Sequence, residues 1–232
     1  MADAIYNLAA EVYHATKALS KSGLDQFRKS PAHFRAWQDG TTRNESSPAL
    51  EFGTAAHCAV LEPDRFVGQY TVFDGDRRTK EGKAAWQAIL DSGKTPLPQE
   101  QWDNITGAAA AVHAHPAASG LLNGIKAEVS YFDNWNGVEV KARIDGMGSD
   151  YIIDLKTTQD ASANAFAKSV AQFRYHAQAA WYQRITGINR FVFIIDEQLK
   201  TFIECQELNS WPCYSSQIQS LSLPVWAARQ SE

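Results

Sequence analysis

Two hydrophobic rhythms divide this chain. In the first half the apolar spacing is helical. Leu24, Phe27, Phe34 and Trp37 recur at intervals of three and seven, with Ser20 or Ser22 placed to cap. Pro31 should split this stretch into two short helices, because its ring removes a backbone donor and crowds the preceding turn. The mostly apolar run 49–61 reads as a buried helix that stops before Pro63. Two more helices are expected over 83–90 and 99–115. Ahead of them, 73–82 is charged and expected to be mobile. After Ile125 the period shortens toward two. IKAEVSYFDNW, GVEVKARIDGM and DYIIDLKTT are separated by Asn136-Gly137 and Gly148-Ser149, which predicts an antiparallel meander. A helical stretch over 162–186 follows, then strands in RFVFIIDE and KTFIECQEL, and a last helix over 209–228. This order predicts an α/β (α+β) fold, a mixed central sheet flanked by helices.

Composition narrows the class only a little. The 232 residues suit one domain spanning 1–232, and no Pro/Gly/Ser linker divides them. No apolar run reaches the roughly 20 residues that span a bilayer, so no membrane partner is expected. The first residues lack the basic start and apolar core of a secretory signal. Cys58, Cys205 and Cys213 have no metal-type spacing and are odd in number, which points to a reducing, cytoplasmic setting. They are also too few for the thiolate set of a usual iron–sulfur cluster. The net charge of −4 argues against a uniformly basic nucleic-acid binder. It leaves room for a nuclease whose acidic cluster is neutralised by metal.

The densest chemistry lies in VKARIDGMGSDYIIDLKTT. Asp145 ends one expected strand, while Asp154 and Lys156 lie two apart on the next and so share a face. A hairpin between them would bring Asp145 beside Asp154. Paired carboxylates make a hard oxygen site suited to Mg²⁺. Lys156 beside it would orient or deprotonate a water, or stabilise charge on a phosphate oxygen. Leu155 should face the core, with its carbonyl within reach of a metal. Such parts fit metal-assisted phosphodiester hydrolysis. An Asp-x-Lys pair on a strand is usually a solvated ion pair. Here, however, Asp154 follows the apolar Tyr151-Ile152-Ile153, where an unpartnered carboxylate is costly. Glu128, in KAEVSYF, could join as a third acid if its strand neighbours that of Asp145. Glu139 reads as lining the sheet surface.

These segments resemble the PD-(D/E)xK nuclease superfamily, and within it the RecE-type (exonuclease VIII) recombination exonucleases of phages and prophages. The resemblance rests on YHATKALSKSGLDQFRKSPAHFRAW, ALEFGTAAHCAVLEPDRF, EVSYF, VKARIDGMGSDYIIDLKTT and FRYHAQAAWYQRITG, which occur in family order from Tyr13 to about Asp196. It implies metal-binding roles for Asp145 and Asp154, the latter standing where many relatives have Glu. It implies that Glu128 is the early acid, Lys156 the catalytic lysine, and His57 a neighbour of the metal. Gln178 and Tyr182 match the Gln-x-x-x-Tyr motif; their spacing puts both on one helical face. Taken alone, His57 reads as a core or capping histidine, and the Gln178–Tyr182 pair as ordinary helix packing. Ile144 stands where the superfamily name has proline, a position that varies widely.

The resemblance further implies a Mg²⁺-dependent exonuclease, with Mn²⁺ as an alternative and two ions per site. It would degrade linear double-stranded DNA from its ends, 5′ to 3′, as a homo-oligomeric ring of three or four subunits. It would serve recombination beside a single-strand annealing protein, as a stand-alone nuclease domain. Candidate phosphate contacts are Arg28, Lys29 and Arg35; Arg77, Arg78 and Lys80; and Lys168 and Arg174. Most of these would be solvated surface charges individually. DGDRRTKEGKAAW is the best single candidate, expected to order over a DNA end with Trp86 or Phe73 near the bases. Trp211, Tyr214 and Trp226 are a possible ring contact or simply core. Two rivals stand beside this reading. One is an endonuclease or single-strand nuclease of the same superfamily. The other is a non-catalytic DNA-binding or partner-docking protein, against which the intact Asp145, Asp154 and Lys156 argue.

Overall fold

The computed structural model describes residues 2–41, 47–158, 160–197 and 200–207. Short hydroxyl side chains start most of the early helices. A brief strand β1 (Ala4–Ile5) and helix α1 (Ala10–Ala15) come first. Ser20 Oγ accepts from Gly23 N and caps α2 (Lys21–Lys29). Ser30 caps α3 (Pro31–Gln38), so Pro31 divides the stretch as its ring requires. Ser47 caps α4 (Pro48–Leu61), which stops where Pro63 opens α5 (Pro63–Gln69). Next come β2 (Tyr70–Phe73), α6 (Lys80–Asp91), β3 (Thr95–Pro98), α7 (Gln99–Ala114) and α8 (Pro116–Leu122).

The stretch 73–82, expected to be mobile, is a folded turn. Asp76 accepts from the Arg78 backbone at 2.9 Å, and Thr79 caps α6 through Gly82 N at 2.9 Å. Gly82 is required there, because a Cβ would sit 2.0 Å from the Asp76 carbonyl oxygen.

The meander then forms as β4 (Lys126–Trp135), β5 (Val138–Met147) and β6 (Tyr151–Thr157). Asn136 and Gly137 both adopt positive φ, the conformation that joins strands in a tight two-residue turn. The helical stretch 162–186 is two helices rather than one: α9 (Ala163–Phe173) and α10 (Tyr175–Thr186) meet at a left-handed Arg174. β7 (Arg190–Glu197) and β8 (Lys200–Glu207) close the chain's described part. The helix expected over 209–228, with Trp211, Tyr214 and Trp226, falls outside the described residues.

The main sheet runs β1-β4-β5-β6-β7-β8, with β6 and β7 parallel and its other pairings antiparallel. β2 and β3 form a small parallel sheet beside it. One core joins Ile153, Leu155, Val192 and Ile194 to Ala55, Ala59, Ile105 and Val112 of α4 and α7. The other joins Ile152, Phe191, Phe193 and Ile195 to Phe166, Ala179, Trp181 and Ile185 of α9 and α10. β6 and β7 are thus covered on both faces, which explains their near-continuous apolar runs. Among the described residues no helix is long and apolar enough to cross a membrane.

Candidate active site

The acids assemble where the strand ladder opens. β5 and β6 pair through Met147–Ile152 and Gly146–Ile153. The next step in that register sets Asp145 opposite Asp154, and there the strands part. The gap is bridged by a side chain: the Leu155 N–H donates to Asp145 Oδ2 at 3.0 Å. On the other side, Ala127–Gly146 and Val129–Ile144 bracket the position where Glu128 faces Asp145. Glu128, Asp145 and Asp154 therefore lie in a row across three adjacent strands. The row coincides with a kink. Ile144 packs in the α9/α10 core, while a Cβ on Gly146 would meet Ile125 and Ile153 of the opposite core. Strict alternation would place both residues on one face, so the alternation breaks at Asp145. Its partner Glu128 carries φ 54, a left-handed backbone inside a strand.

Asp154 is fully buried. Gln178 Nε2 donates to its Oδ1 at 2.6 Å. Its Oδ2 lies 2.5 Å from Lys156 Nζ but has no hydrogen bond of normal geometry. Gln178 also donates to the Tyr182 hydroxyl at 3.3 Å. The Gln-x-x-x-Tyr face of α10 is thus turned onto the acids, while Ala179, Trp181 and Ile185 pack into the core. The kink at Arg174 makes this possible, since it restarts the helix at Tyr175. Arg174 is held there by Asp25 of α2 at 2.5 Å, and Lys21 of α2 donates to the Phe173 carbonyl at 2.8 Å. Tyr175 then presents its ring 4.8 Å from Lys156 Nζ.

α4 supplies the opposite wall. Its small residues Ala55, Ala56 and Ala59 are buried, and a Cβ on Gly53 would lie in van der Waals contact with Thr157 Oγ1. This close packing carries His57 to 3.6 Å from Asp145 Oδ2.

The electrostatics follow from burial. Desolvation pushes Asp145 up to about 6; Lys156 works against this and Glu128 with it. Asp154 is likewise pushed up to about 6 by burial, with Lys156 opposing and Asp145 adding. Burial and the Lys156 charge bring His57 down to about 4, so it is neutral near pH 7. Burial would lower Lys156, but Asp154 and Asp145 together outweigh it and raise the ammonium above its ordinary value. The two acids thus favour the charged form of Lys156, which suits it to stabilising charge on a phosphate oxygen. Burial and the neighbouring acids hold the Tyr182 hydroxyl well above its ordinary range.

The structure brings Asp145, Asp154, Leu155, Lys156, His57, Gln178 and Tyr182 together. Glu128 reaches the row by its backbone only. Its carboxylate turns aside to Arg143 Nε. Among the described residues no three His, Cys, Asp or Glu side chains converge as a ready ligand group. The donor set nonetheless suits a hard divalent cation: two adjacent buried carboxylates, one with an oxygen lacking a hydrogen bond, and a third within strand reach.

The expected phosphate contacts divide. Arg28, Lys29 and Arg174 line an open cleft of about 350 Å³ together with Lys21 and Asp25, the last pairing with both Lys21 and Arg174; the cleft shares Tyr175 with the Lys156 side. Arg35 and Arg78 are paired with Asp39 and Asp76, and Arg77 stacks on Trp86 at 3.9 Å. Phe73 is buried edge-on against Trp86, so that aromatic pair is already engaged. Arg77 and Arg78 precede, and Lys80 begins, a helix that packs on β3 of the small sheet. The sequence reading missed Tyr175 and Arg143. Arg143 had a signal, standing two before Asp145 on an alternating strand. Tyr175 had none, because its approach depends on the kink.

The family described as "PDDEXK-like domain of unknown function (DUF3799)" matches residues 20–203. Among solved structures, one from Eubacterium rectale, described as a "Putative exonuclease", matches with a TM-score of 0.57 at 16% identity, covering 88% of this chain and 77% of that one. That likeness is one of fold. The comparison with curated proteins gives no match.

Proposed function

The chain belongs to the PDDEXK-like family DUF3799, and on that footing we propose that it is a divalent-metal-dependent deoxyribonuclease that degrades linear duplex DNA from an end. The observation that carries this is the row of Asp145 and Asp154 at the opening of β5 and β6, with a protonated Lys156 against it. Asp145, Asp154 and the Leu155 carbonyl would hold the cation, Mg²⁺ or Mn²⁺, beside His57. Bound there, it would polarise a phosphate oxygen and make water more acidic. The chain's own groups do the rest. Gln178 fixes the Asp154 carboxylate, and the Leu155 N–H fixes that of Asp145. Lys156 places a positive charge where negative charge grows on the scissile phosphate, in a site only 18% exposed, where such a charge is worth more than in water. The basic cleft beyond Tyr175 would take the neighbouring phosphates of the strand.

The finer points come from the resemblance to RecE-type exonucleases: 5′ to 3′ polarity, two ions, a ring of three or four subunits, and a recombination role with an annealing partner. The discriminating experiment offers linear and closed circular duplex DNA with Mg²⁺. Degradation of the linear form alone supports an end-dependent enzyme, and a label at either end gives polarity. Cutting of the circle would keep the site and replace the exonuclease by an endonuclease. Light scattering under the same conditions tests the ring.

A further inference from the structure

Glu128 is the acid that the strands deliver and the side chains withhold. Its backbone stands opposite Asp145, yet its carboxylate is bound by Arg143 Nε. That guanidinium makes two further bonds, from Nη1 to the Leu8 carbonyl at 3.0 Å and to Ser130 Oγ at 3.1 Å. Leu8 belongs to the N-terminal segment, whose β1 pairs with β4 at Ala4–Tyr131 and Ile5–Ser130. The same segment is pinned further along. Lys141, two before Arg143 on β5, donates to the Tyr13 and Thr16 carbonyls at 2.7 Å each, and its ammonium lies 4.6 Å from the Tyr13 ring. Arg143 and Glu128 are only 13% and 27% exposed, so solvent does little to weaken their pairing. The left-handed backbone at Glu128 is strained for a residue with a Cβ. Strain of that kind persists where surrounding contacts over-determine it.

We infer that Arg143 is a latch on the third carboxylate of the cation site. It holds Glu128 aside, and through Leu8 it couples that hold to the docked N-terminal segment. This rests on the cation-binding reading of Asp145 and Asp154. When a divalent ion competes, Glu128 exchanges Arg143 for the ion, and Arg143 keeps Leu8 and Ser130. Arg143 is thus a positioning residue, acting on the ion only through Glu128.

The test is direct Mn²⁺ binding to the full chain at one pH, by calorimetry or electron paramagnetic resonance. The proteins are wild type, Arg143→Gln, Glu128→Gln and the double variant. Arg143→Gln should tighten Mn²⁺ binding about fivefold to tenfold, as expected for release of one charged hydrogen bond. Glu128→Gln should weaken binding, and the double variant should match Glu128→Gln. If the gain persists without Glu128, Arg143 only repels the ion and the latch is wrong. If Arg143→Gln gives no gain, it is wrong also. Should Arg143→Gln fold poorly, Arg143→Lys keeps the charge but loses the fork, and should show a smaller gain that again vanishes with Glu128→Gln; wild-type affinity in Arg143→Lys overturns the latch. Absence of Mn²⁺ binding by the wild type would instead remove the cation site, and the latch with it.

Discussion

Replacing Asp145 by Asn should stabilise the metal-free protein at neutral pH. Asp145 is pushed from 3.8 to about 6, mainly by burial. A carboxyl raised in the folded state keeps its proton between those values, while the unfolded chain has lost it. Its penalty is absent below about pH 4, grows as pH rises through 4 to 6, and is complete above about 7. A shift of about two units corresponds to on the order of 3 kcal/mol. The side chain is only 16% exposed, so solvent screening takes little from this figure. Asn keeps an oxygen to accept from the Leu155 N–H, and so retains the one hydrogen bond that the structure gives Asp145. It also removes a charge that raises Asp154, which acts in the same direction. The assay is urea unfolding followed by tryptophan fluorescence, in EDTA, from pH 4 to 8. The two proteins should be alike near pH 4, with the variant ahead by about 3 kcal/mol at pH 8. Saturating Mg²⁺ should reverse the order, since the ion stabilises only a folded state that binds it. Equal stability at pH 8, or an advantage confined to low pH, would refute the reasoning.

Asp196→Asn makes an informative contrast. Burial raises this carboxyl to about 6 too, and its Oδ1 has no hydrogen-bond partner. The variant should gain stability over the same pH window, but Mg²⁺ should leave that gain unchanged, because Asp196 pairs with Thr157 near the end of β7 and burial alone, not the acid row, raises it. Glu128→Gly should be more stable than Glu128→Ala by about 1 kcal/mol in urea unfolding, because only glycine adopts the left-handed backbone freely. Arg28→Gln with Lys29→Gln should weaken DNA binding in EDTA and flatten its dependence on log salt by about 1–2, as loss of two phosphate contacts requires. An unchanged salt slope would remove the cleft from the DNA path.

The sequence made the frame legible because its signals are local. Ser20, Pro31, Asn136-Gly137 and Pro63 each act within a few residues, and each sits where its chemistry places it. Asp154 and Lys156 were legible for the same reason, as a polar pair breaking an apolar strand. Long-range geometry was not. The Arg174 kink is held by Asp25, 149 residues earlier, and by Lys21 on the Phe173 carbonyl, long-range contacts that a periodicity showing one helix does not contain. The turning aside of Glu128 depends on its pairing with Arg143, which alternation aligns with Asp145 but does not assign to Glu128. The expected mobility of 73–82 came from counting charges, whereas Asp76 and Arg78 satisfy one another and a helix cap follows.

The central claim is that this acid row and Lys156 hydrolyse phosphodiesters with a divalent cation. The most direct measurement is release of acid-soluble nucleotides from linear duplex DNA by wild type, Asp154→Asn and Lys156→Met, with Mg²⁺ and with EDTA. The account expects release by the wild type with Mg²⁺ and none in EDTA. It expects a loss of at least about 100-fold for Lys156→Met, the scale of one missing charge stabiliser, with DNA binding in EDTA retained. Wild-type rates from Lys156→Met, or release that persists in EDTA, would contradict it.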